Sequence, residues 1–238
     1  MRPNRVMILM CVVAGCQSTP GAEPHDMSVA AHLAEASGHE AEATHHRAMY
    51  APDASVTRER CPANATLVSQ SVCWTSVGNP TADHLREAER HRQMAADHRA
   101  ASQVLRDAEA SACVGVSDVD RDMSPFEHRD DIASVTPLIE HVTSAREMRS
   151  RTAGVVVTFR ALPGLTAEWL QRVVNCHLAR NAALGHHVPE MPDCPLVPNG
   201  VSAAVTSTGD GFAVEIRADD AAVLEEIQRR ARTLTAPR

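Results

Sequence analysis

His32-Leu-Ala-Glu-Ala-Ser-Gly-His39 and His84-Leu-Arg-Glu-Ala-Glu-Arg-His91 are two copies of one helical phrase, and they decide how the first half of the chain folds. The likeness continues to His46-Arg47-Ala48 against His98-Arg99-Ala100, so nine of the eighteen positions from 32 to 49 recur in the second copy. Histidine returns every seven residues at His25, His32, His39 and His46, and again at His84, His91 and His98, with Leu105 at the next step. Four residues after these come Val29, Ala36, Ala43 and Tyr50, then Ala88, Ala95 and Ser102. Steps of four and three thus alternate as in a coiled-coil seam, with histidine at one position and mostly small residues at the other. Small residues let helix backbones approach closely, and each copy needs a partner to cover its seam. The repeat therefore predicts an antiparallel Ala/His-rich helical hairpin over 26–112. Its first helix runs from Asp26 to about Met49 and is ended by Pro52. A connector at 51–79 follows, and Asn79-Pro80 opens the second helix as N-cap and first helical residue, continuing to about Ala112.

This spacing constrains any metal chemistry. Histidines seven apart lie ~10.5 Å apart along a helix, too far to share one ion, so a site must be built across the hairpin. The candidate ligands are His32, His39, His46, His84, His91 and His98, with Glu35, Glu42, Glu87 or His45 available to complete a zinc, copper or nickel sphere. Two other readings use the same residues. One is a hydrogen-bonded polar seam without metal, in a structural lipoprotein whose hairpin packs on a protein partner or a second copy. The other is an acid switch, in which protonated imidazoles splay the hairpin.

Beyond Cys113 the pattern changes to that of an α+β domain over 113–238. Ile132 to Ile139 and Val155 to Ala161 read as strands, and Thr166 caps a helix that Gly185 stops. A loop with Pro189, Pro192, Pro195 and Pro198 leads to strands at 201–207 and 212–218 around Gly209-Asp210-Gly211, then to a helix from Asp220 to Thr233. The order ββαββα predicts a two-layer domain with the split βαβ arrangement of ferredoxin-like folds. Proximity pairs Cys61 with Cys73 and Cys176 with Cys194 as disulfides and leaves Cys113 free, although spacing alone cannot fix connectivity. Cys176-His177, His186-His187, Met191 and Cys194 form a second, weaker metal-like cluster. The sequence contains no Gly-rich phosphate loop, no Gly-x-Ser-x-Gly elbow and no His-Glu-x-x-His motif, so no catalytic residue is nominated.

Arg2 and Arg5, an apolar run from Val6 to Ala14, and Val13-Ala14-Gly15-Cys16 follow the order of a secretory signal peptide. Val-Ala-Gly-Cys resembles the lipobox of bacterial lipoproteins, and the resemblance covers only the first sixteen residues. It implies removal of residues 1–15, acylation of Cys16, and a lipid-anchored linker over 16–25. Several acyl chains at ~0.8 kcal/mol per buried methylene make such an anchor stable. Gln17, rather than Asp, after the cysteine implies sorting to the outer membrane, facing the periplasm. Losing Arg2 and Arg5 moves the formal charge from −7 to −9. An acidic chain with six aromatic residues offers neither phosphate attraction nor a stacking platform, which argues against nucleic acid as a partner.

Overall fold

A computed structural model describes residues 19–60, 73–144 and 147–236, with the side chains of 142–148 left aside. Cys16, the expected lipidation site, and the expected signal segment lie outside the described residues, as does Cys61 of the expected Cys61–Cys73 pair.

Two long helices form the N-terminal hairpin. Helix α1 spans Val29–Met49, and the Ser28 hydroxyl caps it by accepting from the Ala31 N–H at 3.1 Å. Helix α2 spans Ala82–Ala112. It starts later than the Asn79-Pro80 signal predicts, because Asn79 is used differently: its Oδ1 accepts from the Thr81 N–H at 2.7 Å, and its amide donates to the Ala51 carbonyl at 2.7 Å. Asn79 thus ties the end of the connector to its beginning and brings the two helices back antiparallel. The connector also holds a feature that its turn-rich sequence concealed: strands β1 (Val56–Arg60) and β2 (Trp74–Gly78) pair antiparallel.

The C-terminal half is α+β. After a short helix, α3 (Asp118–Asp122), strands β3 (Ile132–Ser144) and β4 (Glu147–Arg160) form a long hairpin. Helix α4 (Ala167–Ala183), strands β5 (Ser202–Thr208) and β6 (Gly211–Arg217), and helix α5 (Ala221–Thr233) follow. The sheet order is β3-β4-β6-β5 with every neighbouring pair antiparallel. Strands β4 and β5, joined through α4, therefore run the same way with β6 between them, which is the split βαβ arrangement. The fourth strand enters from the N-terminal side as β3. Both strands of the first hairpin outrun the sequence-based limits, since the segment beyond Gly154 continues past the last residue paired to β6.

One face of this sheet is dry. Val155, Val157 and Phe159 of β4 alternate inward with Val214 and Ile216 of β6, and meet Leu170 and Val174 of α4 and Ile227 and Ala231 of α5. The opposite face carries charges instead, with Arg217 paired to Glu140 and to Glu215. Gly154 allows β4 and β6 to approach closely, because a Cβ there would collide with the Ile216 carbonyl. The proline-rich segment covers the core with Val188, Met191, Leu196 and Val197.

The cysteines pair otherwise than proximity in sequence predicts. Cys176, on α4, is bonded to Cys113 at the end of α2, and Cys194 is a free, buried thiol. Helix periodicity explains the difference: Cys176 faces α2, whereas Cys194 turns into the core, where burial raises its thiol pKa. The proline-rich loop is held by side chains instead. Asn181 donates to the Leu196 carbonyl at 3.0 Å, and Arg129 bonds both Asp193 and the Thr233 carbonyl at 2.7 Å.

The disulfide is one of several ties between the hairpin and the α+β layer. Leu105 of α2 packs with Ala182 and Ala183 of α4 and with Val29, and Arg180 of α4 reaches Glu109 at 3.4 Å and Asp122 at 2.8 Å. With its cysteines 63 positions apart in sequence, the Cys113–Cys176 bond restricts the unfolded chain by about 4 kcal/mol on the chain-entropy account. Replacing Cys113 by Ser is expected to lower unfolding stability by that order. A non-reducing peptide map should link Cys113 to Cys176, and a map linking Cys176 to Cys194 would refute the arrangement.

Candidate functional site

The heptad places one histidine on every second turn of each helix, and the antiparallel return brings them face to face. His32 meets His98, His39 meets His91 and His46 meets His84, with Nδ1···Nδ1 separations of 3.1, 3.1 and 3.2 Å. Between these layers lie Ala36 and Ala43 of α1 and Ala88 and Ala95 of α2, all buried. The alanines set the close approach, and the imidazoles fill the space that larger apolar side chains occupy in an ordinary seam. The layers are also linked to one another. His39 stacks on His98 with ring centroids 5.6 Å apart, and His46 stacks on His91 at 5.5 Å, so six rings form one continuous ladder. All six sequence-nominated ligands belong to it.

Burial is graded along the ladder. His32 and His98, nearest the contact with α4, are 0% and 3% exposed, whereas His39, His91, His46 and His84 are half-buried. The Nε2 of His32 is buried without a hydrogen-bond partner among the described residues. An unpaired buried polar atom of this kind costs about 1–3 kcal/mol.

An Nδ1···Nδ1 contact near 3.1 Å has two chemical meanings. In a neutral pair one imidazole donates its Nδ1–H and the other accepts, so the partners adopt opposite tautomers, and a pair with both rings charged loses the bond. The same separation also fits two nitrogens on one metal ion. With metal–nitrogen bonds of ~2.0–2.1 Å, square-planar to tetrahedral angles place neighbouring nitrogens about 2.9–3.4 Å apart. A carboxylate joins the set at one level: one ligand atom each from His46, His91 and Glu87 lie within 4.8 Å of one another. Glu87 is four residues before His91 on α2, one turn away on the same face, and carries an ion pair with Arg90.

The second cluster does not assemble. Cys176 is consumed by Cys113, Met191 and Cys194 are core residues, and His177 Nε2 bonds the Asp120 carbonyl at 2.8 Å. His186, in a left-handed conformation with φ of 59°, directs Nδ1 to the Val197 carbonyl at 2.9 Å. Glu42 acts on His91 through its charge but is not in the close set, and Glu87 is only one of the four accessory ligands that the sequence offers. Comparison of the chain with protein-family models, with curated proteins and with solved structures finds no significant match.

Electrostatics favours neutral rings. Burial lowers the pKa of His91 and of His98, and the neighbouring His39 and His32 respectively lower them further. The opposing carboxylates, Glu42 for His91 and Glu35 and Asp97 for His98, offset only part of this, and Arg90 adds to the depression at His91. A histidine whose folded pKa lies below its unfolded value binds protons more readily when unfolded. Its stabilising neutral form is thus complete above about pH 6.5 and is lost as pH falls through that value toward the lowered folded pKa. Burial depresses His177 and His186 as well. The ladder's share is therefore the difference between the parent and a His91→Gln/His98→Gln variant. The unfolding temperature of the parent should fall more steeply than that of the variant between about pH 7 and pH 5, by thermal melts followed by circular dichroism. Parallel curves would show that His91 and His98 take up protons alike in the folded and unfolded chain, against the lowered pKa values.

Proposed function

We propose that this chain is a lipid-anchored envelope protein that binds and buffers transition-metal ions through the histidine ladder. The observation that carries the reading is the set of three cross-hairpin imidazole pairs at 3.1–3.2 Å, accompanied by a carboxylate that converges with His46 and His91. Imidazole nitrogen, in company with few oxygens, suits zinc, copper and nickel rather than calcium or magnesium. The ladder lies on rigid helices rather than loops, and the disulfide and the Leu105 contact fix its inner end.

The location rests on the N-terminal sequence. Val13-Ala14-Gly15-Cys16 supports lipid attachment at Cys16, and no helix among the described residues is long and apolar enough to cross a membrane. Acyl chains on Cys16 would keep the ladder at the membrane surface, and Gln17 supports the outer membrane with the protein facing the periplasm.

Zinc(II) and copper(II) titrations of the full chain test the reading, with metal content measured after dialysis. The comparison is a variant carrying Gln at positions 32, 39, 46, 84, 91 and 98, whose helical content is checked by circular dichroism. Stoichiometric binding by the parent and none by the folded variant is the expected result. Equal, weak binding by both would discard metal handling as the function.

A further inference from the structure

The two helices are copies of one phrase, and the metal-like set on one flank has a counterpart on the other. In the repeat, His46 corresponds to His98, His91 to His39 and Glu87 to Glu35. Exchanging the two helices therefore turns His46, Glu87 and His91 into His98, Glu35 and His39. The rings obey the same exchange: His46 stacks on His91 at 5.5 Å with planes 17° apart, and His98 stacks on His39 at 5.6 Å with planes 28° apart. Each glutamate precedes the histidine of its own helix by four residues, which puts both on one face a turn apart.

We infer that the seam carries two transition-metal sites in tandem, one formed by His46, Glu87 and His91, and a second formed by His39, Glu35 and His98. Between them lies the His39–His91 pair, with Nδ1 atoms 3.1 Å apart, which gives one imidazole to each site. The inference rests on the metal-binding reading above and adds the second site, its ligands and the stoichiometry.

The two sites differ in readiness. Among the described residues the Glu87 set alone is already drawn within 4.8 Å. Glu35 is exposed and forms no ion pair among the described residues, yet its charge acts on His98. Turning its carboxylate onto the two imidazoles costs rotamer freedom but breaks no existing pair. Glu87, by contrast, must exchange Arg90 for the ion. Soft or borderline ions of the late first row fit both sets, since each offers two imidazoles and one carboxylate and leaves room for water.

Titration of the full chain with zinc(II), followed by native mass spectrometry and calorimetry, tests this. Two ions per chain are expected. Glu35→Gln and Glu87→Gln should each weaken one ion by roughly tenfold or more and spare the other, while the double variant weakens both. Both substitutions keep size and helix propensity, and circular dichroism confirms that the hairpin persists. One ion per chain with Glu35→Gln indistinguishable from the parent would overturn the second site and leave the metal reading standing. Three ions insensitive to either substitution would place metal in the Nδ1 pairs and also overturn it. No zinc bound by the parent would remove both the tandem sites and the reading on which they rest.

Discussion

Close approach of two helix backbones across a seam of alanines is the constraint on which the hairpin depends. Ala36, Ala43, Ala88 and Ala95 are each at most 3% exposed, enclosed where the two helices meet. At the alternate level that same proximity forces imidazoles to meet. An Nδ1···Nδ1 separation near 3.1 Å is available only because the intervening layers are small. A leucine at an alanine position would widen the seam and cost about 1–3 kcal/mol in strain, and it would part the neighbouring rings as well. Packing and chemistry here are one geometric fact.

That arrangement gives up apolar stabilisation. Alanine buries little area, and a buried histidine must satisfy its nitrogens, so the hairpin gains less from its seam than a leucine-rich one of equal length. What compensates is attachment. The heptad gives way to Leu105 where α2 reaches α4, and there Leu105, Ala182, Ala183 and Val29 form a small apolar cluster. Arg180 bridges Glu109 and Asp122 beside it, and the Cys113–Cys176 bond closes the joint. The hairpin is thus anchored at one end on a layer with a full core of its own. The gradient of burial along the ladder follows, from the enclosed His32–His98 rung to the more open His46–His84 rung.

Much of this was legible in the residues, for a physical reason. A repeat of seven on a helix of 3.6 residues per turn can only place its members on one stripe, and two matching stripes imply a facing pair. The heptad hence announced the six imidazoles, and the Val-Val-Val-Thr-Phe run announced β4. Local capping was readable where one side chain does the work, as at Thr166. What escaped needed non-local knowledge. Asn79 has the residue type of an N-cap, but its amide finds a better use bridging to Ala51, and α2 starts at Ala82. Cys176 lies 18 residues before Cys194 yet points the other way, and only the docking of α2 on α4 brings Cys113 to it. β1 and β2 are short and exposed, so they carry no alternation to read. Among the four accessory ligands, choosing Glu87 required knowing which layer of α1 faces which layer of α2.

Protons would compete with any metal ion taken up by the seam for the same nitrogens. In a neutral pair one Nδ1 carries a hydrogen and the other a lone pair, so an ion that took the protonated nitrogen as a ligand would first have to shift its hydrogen to Nε2. At His32 this shift would meet a buried Nε2 that has no acceptor among the described residues, whereas the half-buried outer histidines can pass the hydrogen toward water. The half-buried histidines would therefore yield an Nδ1 to an ion more readily than His32. Depressed basicity at His91 and His98 works in the same direction, because a ring that stays neutral near neutral pH has its lone pair available. Acid reverses this by filling the lone pairs and placing like charges on rings whose centroids lie 5.5–5.6 Å apart, which Glu42 at His91 and Glu35 and Asp97 at His98 offset only in part.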